Sequence, residues 1–224
     1  MTLPGTAGRR GPTALASLRR YVRPRAVAAP AVEHCGLCGT SITDQHAHLL
    51  EPATGRLACA CRACALLFSG NPAGHYRLVP NRIRALDDFH LDDPAWDRLA
   101  IPIDLAFFVG RSDAAGVVAH YPSPAGATES LVSPTAWDDL AEDNPVLREL
   151  QPDVEALLVN RVGGRREHYL VGIDECYRLV GMIRTKWRGL SGGREVWDEI
   201  ARLFDDLKQR STGIMASEIG RTHA

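Results

Sequence analysis

Short apolar and aromatic runs, each closed by glycine, proline or charged turn residues, alternate along the chain with stretches whose apolar positions recur at three- and four-residue steps. Leu105-Ala106-Phe107-Phe108-Val109 and Gly116-Val117-Val118-Ala119-His120-Tyr121 read as two strands joined by a loop over Arg111 to Ala115. Val154 to Val162 and His168 to Ile173 flank Gly163-Gly164 and read as a second hairpin. Pro122 to Gly126 breaks the sheet, and Ala127-Thr128-Glu129-Ser130 continues as an exposed polar loop, with no base to pair its Glu and Ser. Helix starts are marked by Asp92-Asp93-Pro94, Ser133-Pro134 and Asn144-Pro145. Asp174 is placed to cap a long helix whose stripe is Cys176, Tyr177, Val180, Ile183 and Trp187. A final helix runs from Arg194 to about Gln209, with Val196, Trp197, Ile200, Leu203, Phe204 and Leu207 on its apolar face.

Nearer the N-terminus the pattern is that of a small hairpin unit. His46 to Glu51 is a strand, Pro52-Ala53-Thr54-Gly55 a turn, and Arg56 to Cys61 the return strand; Arg62 to Phe68 then forms a short helix ending near Gly70. With that helix the unit resembles a treble clef, and without it a zinc ribbon. The expected fold is therefore α+β: a small cysteine-rich metal-binding module followed by a domain of antiparallel sheet plus helices. Its segments are a basic flexible arm at 1–30, the module at 31–80, the α+β domain at 81–210 and a flexible tail at 211–224.

Charge changes this picture only at the start of the chain. Across 224 residues, 26 Lys and Arg balance 27 Asp and Glu, which excludes an overall nucleic-acid footprint. Arg9, Arg10, Arg19, Arg20, Arg23 and Arg25, with no acidic residue between Met1 and Pro30, make a local basic arm that suits either solvation or contact with nucleic acid or an acidic surface. Arg9-Arg10 is not followed by the apolar core that an export signal requires, and no apolar run is long enough to span a membrane.

The chemistry is concentrated in the cysteines. Cys35, Cys38, Cys59, Cys61 and Cys64 fall in one short segment, unlike a disulfide framework spread over a secreted fold, so a reducing, cytoplasmic setting is expected. Cys35-Gly36-Leu37-Cys38 and Cys61-Arg62-Ala63-Cys64 are two matched C-x-x-C turns, enough to fill a tetrahedral shell with thiolates. Cys59 is the alternate ligand, because on a strand Cys59 and Cys61 share a face. His34, His46 and His48 are competent donors, but the four thiolates leave no vacancy for them, and they read as exposed or hairpin-facing imidazoles. Zn2+ in a closed structural site is the expected cofactor; iron is the competitor, since the first turn is like that of rubredoxin while the second, with Arg62-Ala63 inside and Ala65 after it, is not. Cys176 belongs to the core, since its neighbours Asp174 and Glu175 disfavour a thiolate. The glycines before the last helix lack a phosphate-binding signature.

Read together with Tyr121-Pro122-Ser123-Pro124-Ala125-Gly126-Ala127-Thr128-Glu129-Ser130, Asp153-Val154-Glu155-Ala156-Leu157-Leu158-Val159-Asn160-Arg161 and Asp174-Glu175-Cys176-Tyr177-Arg178-Leu179-Val180-Gly181, the cysteine segment resembles actinobacterial proteins of unknown function encoded in some [NiFe]-hydrogenase gene clusters. The likeness covers about Glu33 to Leu207 and brings no catalytic residue with it. It implies an accessory, maturation or electron-transfer role, with a hydrogenase subunit or maturation factor as partner. The expected function is a non-enzymatic zinc-binding accessory protein. The alternatives are a rubredoxin-like electron carrier and, more weakly, a nucleic-acid-binding module.

Overall fold

Two antiparallel sheets of different size carry the fold. The computed structural model describes residues 32–69, 74–113, 116–123, 126–188 and 192–219; the basic arm at 1–30 lies outside the described residues. The smaller sheet contains β1 (Ala47–Glu51), β2 (Arg56–Ala60) and β3 (Arg77–Leu78) in the order β2-β1-β3, and helix α1 (Arg62–Ser69) leaves β2 directly. The 52–55 turn sets the register, so His48 stands opposite Cys59 and Leu49 opposite Ala58. Successive side chains on a strand face opposite ways. Leu49 and Ala60 accordingly pack with Cys35, Cys64 and Ala65, whereas Leu50 joins the core of the larger domain.

The larger sheet contains β4 (Ile83–Ala85), β5 (Leu105–Arg111), β6 (Gly116–Ser123), β7 (Gly126–Leu131), β8 (Glu155–Asn160) and β9 (Glu167–Gly172), ordered β4-β9-β8-β5-β6-β7. Its helices are α2 (Asp93–Arg98), α3 (Pro134–Asp143), α4 (Ile173–Lys186) and α5 (Gly193–Ile219), with short 3-10 turns at Pro145–Glu149 and Val162–Gly164. Phe107, Leu158, Tyr169 and Val171 face α4 and α5, through Cys176, Leu179, Ile183, Phe204 and Leu207. Phe108, Leu157 and Leu170 face the other way, onto Trp96 of α2 and Ala136 and Leu140 of α3. Every residue of β8 is buried, which explains its unbroken apolar run: helices cover the sheet on both faces.

Four details depart from the sequence reading. Residues 127–130 are not a loop but part of β7, paired with β6 so that Pro122 faces Ala127 and His120 faces Glu129. β7 is an edge strand, and the pairing it takes from β6 needs no apolar alternation of its own. Asp174 is not the cap of α4; Gly172 holds that position and Asp174 lies in the first turn. Leu179, rather than Tyr177, completes the buried stripe of α4. The last helix continues through Ile219, beyond the expected end at Gln209, and Ser211 on it is buried. By contrast, Asp92 does cap α2, its Oδ1 accepting the N–H of Ala95 at 2.8 Å.

The small sheet is seated on the large domain by specific contacts. Asp174 Oδ2 accepts from His48 Nδ1 at 2.8 Å, Tyr177 donates its hydroxyl to the Gly55 carbonyl at 3.3 Å, and Arg77 donates to Asp153 at 2.8 Å. Gly172 is necessary at this seam: a Cβ there would lie 2.7 Å from the Pro80 carbonyl oxygen and 2.5 Å from Asp174 Oδ1. Among the described residues no helix is long and apolar enough to cross a membrane.

Candidate metal centre

Two backbone turns aim the four matched cysteines at one point. Before β1, the Cys35 N–H donates to the Thr40 carbonyl and the Gly39 N–H to the Cys35 carbonyl, closing a tight knuckle. Gly39 takes φ +74°, a left-handed conformation that suits glycine. The Gly36 N–H donates to the Cys59 carbonyl at 2.8 Å, which fastens the knuckle to β2. On the other side the strand ends at Ala60, and Cys61 begins the turn into α1, one residue before its first helical position. Cys64 then lies on the first turn of the helix, its N–H 3.5 Å from the Cys61 Sγ.

Cys35, Cys38, Cys61 and Cys64 each bring a sulfur within 4.8 Å of the other three. Cys35 and Cys64 are buried, Cys61 half-buried and Cys38 exposed, so the cluster sits at the module surface with its inner wall closed. Cys38 Sγ and Cys61 Sγ are 3.8 Å apart. Sulfurs at about 2.3 Å from a tetrahedral zinc ion stand about 3.8 Å from one another, whereas a disulfide needs about 2.05 Å. The donor set therefore fits a tetrahedral thiophilic cation and not a covalent pair; all six cysteines are free thiols.

The thiols differ in acidity. The Cys35 thiol is lowered to about 6, first by the backbone N–H of Cys61 and then by those of Cys38 and Leu37. The Cys64 thiol is pushed up to about 12, first by burial and then by its hydrogen-bonded thiol neighbours. One thiolate is thus available near neutral pH, while Cys64 would be held ionised by a bound cation.

Cys59, the alternate ligand, turns away from this cluster. Because the strand stops at Ala60, the alternation that would have placed Cys59 and Cys61 on one face does not extend to Cys61. Cys59 instead lies with His46 and His48, each offering a donor within 4.8 Å of the others. Sequence reasoning set those two imidazoles aside. The signal was present nonetheless: His46 and His48 are two apart in sequence at the start of β1, and a four-residue turn at 52–55 brings Cys59 opposite His48.

A polar cleft of about 290 Å³ lies between the 52–55 turn and the large sheet, lined in part by Arg111, His120, Glu129, Asp153 and Tyr177. Here Glu129 does have an imidazole partner, with His120 Nδ1 3.9 Å from Oε1. His120 is stacked flat on Phe107 at 4.7 Å, and burial lowers its pKa. Two hydroxyls of the lining are engaged: Thr54 donates to Glu51 at 2.7 Å and Tyr177 to Gly55. Cys176 is wholly enclosed in the core, where burial, then Asp174 and Glu175, raise its pKa well above the ordinary value; it is no nucleophile.

A family model described as "Family of unknown function (DUF5947)" matches residues 34–211, which includes every cysteine and both sheets, and the chain belongs to that family. No curated protein and no solved structure matches it.

Proposed function

We propose, from the premise that the chain is a DUF5947 member, that it is a non-enzymatic accessory protein whose N-terminal module is clamped by a structural zinc ion and presents a surface to a protein partner. The convergence of the four cysteine sulfurs carries this reading. A closed shell of four thiolates leaves no position for substrate and serves structure. The order of parts, a C-x-x-C knuckle, a hairpin and a helix whose first turn holds the second pair, favours a treble-clef-like module over a zinc ribbon. Cys35, Cys38, Cys61 and Cys64 would hold the ion, and Leu49, Ala60 and Ala65 would pack behind it.

The partner surface is suggested by α1. Leu66 and Leu67 are 68% and 75% exposed on the helix that carries Cys64, so ordering the site also orders an apolar face. The resemblance to proteins of hydrogenase gene clusters makes a hydrogenase subunit or maturation factor, in a reducing cytoplasm, the partner to test first. Zinc with no visible absorbance in protein purified without oxygen is the expected result; stoichiometric iron with a visible thiolate spectrum would replace this reading with electron transfer. A pull-down comparing wild type with Leu66→Glu/Leu67→Glu then tests the surface, and undiminished capture would remove α1 from it.

A further inference from the structure

The hairpin face opposite the four-cysteine cluster carries a second constellation with the chemistry of a metal site. His46 immediately precedes β1 and His48 lies on it, Cys59 stands opposite His48 on β2, and one donor atom from each lies within 4.8 Å of the other two. The two imidazole rings are 4.7 Å apart and inclined at 67°, an edge-on arrangement rather than a stack.

The hydrogen bonds fix which nitrogens are left. His46 Nδ1 is 2.8 Å from the Thr43 carbonyl oxygen. A carbonyl can only accept, so Nδ1 carries the proton and Nε2 keeps its lone pair. His48 Nδ1 is 2.8 Å from Asp174 Oδ2, again an acceptor, which leaves its Nε2 free in the same sense. These are the outer partners that metal-binding histidines use: one backbone carbonyl and one carboxylate, each orienting a ring through its distal nitrogen. Glu33 Oε2 lies 3.6 Å from the outer nitrogen of His46 and adds negative charge on that side.

One atom is otherwise unexplained. His46 Nε2 is buried on a side chain only 8% exposed and has no hydrogen-bond partner among the described residues. Burying such an acceptor unpaired is unfavourable, because the water that would have bonded it is lost without replacement. A cation shared with Cys59 and His48 removes that cost.

We propose that His46, His48 and Cys59 form a second, three-ligand site for a divalent transition-metal ion of the zinc type, bound through two imidazole Nε2 atoms and one thiolate. Binding displaces the Cys59 thiol proton to solvent and leaves the fourth tetrahedral position for water or an added ligand. The site lies where the small sheet meets α4. Asp174, within the first turn of α4, acts as a positioning residue, since it touches the imidazole and not the ion.

Equilibrium dialysis of the full chain against zinc, followed by metal counting, tests the proposal. Wild type should retain two ions per chain. His46→Ala, the milder His46→Gln and Cys59→Ser should each retain one, with an unchanged far-ultraviolet circular dichroism spectrum. Cobalt supplies a second readout: its thiolate charge-transfer band should weaken in Cys59→Ser, while in His46→Gln only the bands of the second equivalent should disappear. Asp174→Asn should weaken the second equivalent about 10- to 100-fold and leave the first unchanged. Wild type saturating at one ion that His46→Gln retains overturns this site while leaving the four-cysteine reading intact. One ion retained in Cys64→Ser but lost in His46→Gln supports this site and removes the other.

Discussion

The two sheets of this molecule are stabilised by different means. Both faces of the large sheet are covered, with Phe107 and Leu158 buried toward α4 and α5 and Phe108 and Leu157 toward α2 and α3. Those cores need only apolar burial, at about 25 cal/mol per Å² removed from water. The small sheet has a core of five buried side chains, and two of them, Cys35 and Cys64, are thiols aimed at the candidate metal site. Its other face is borrowed: Leu50 and Val79 belong to the large domain's core. A hairpin of this size buries too little to stand alone; here four sulfurs that could hold a cation converge on one side, and the larger domain covers the other.

The largest expected effect is from metal removal. A strong chelator, or Cys64→Ser, should forfeit on the order of 10 kcal/mol of coupled binding and folding free energy in the module. Hydrogen exchange should then show fast amides over β1 and β2 and slow amides over β8 and β9; uniform loss of protection would merge the two regions into one unit. Phe108→Ala sharpens the opposite side of the comparison. It should cost the large domain about 4 kcal/mol in denaturant unfolding, with metal content unchanged.

Acid provides a lever on the large domain through His168. Burial, helped by Arg161 and then Arg166, lowers its pKa from 6.5 to about 4 in the folded state. As pH falls, the unfolded chain therefore takes up this proton first. The stabilisation is complete above about pH 6.5 and is lost progressively down to about pH 4, by about 3 kcal/mol in all. Subtracting the pH profile of His168→Gln from that of wild type isolates it; superposable profiles would exclude it.

The seam should yield smaller changes. Gly172→Ala must displace the Pro80 carbonyl or Asp174, at a cost of about 2 kcal/mol in thermal unfolding. It should also raise proteolytic cutting between Leu78 and Ile83, and an unchanged cutting rate would mean that the two sheets do not depend on this contact. Tyr177→Phe, which removes the hydrogen bond to Gly55, should cost about 0.5 kcal/mol, because that tyrosine is partly exposed.

Much of this was legible along the chain because it is local. The hairpins β5–β6 and β8–β9, the β1–β2 hairpin and the start of α2 each follow from neighbouring residues: a turn between apolar runs, or a capping acid before proline. β7 was not legible, since an edge strand is defined by the partner it takes and Thr128, Glu129 and Ser130 carry no apolar alternation. The role of Asp174 was hidden likewise. As a first-turn acid before an apolar stripe it looks like a cap, and only the seam brings it to His48, 126 residues away in sequence.

The sequence by itself determined the four-cysteine cluster, because two C-x-x-C turns and the short hairpin between them bring the sulfurs close by chain geometry alone. It also determined the mixed α+β class, since the periods of two and of three to four are properties of the backbone. What tertiary structure decided was the division of the remaining donors. Ending β2 at Ala60 separated Cys61 from Cys59, burial stripped His46 Nε2 of any partner, and docking of α4 supplied the carboxylate that orients His48. Each depends on where a chain element stops or on which distant surface covers it, and neither is encoded in the spacing of residues along one strand.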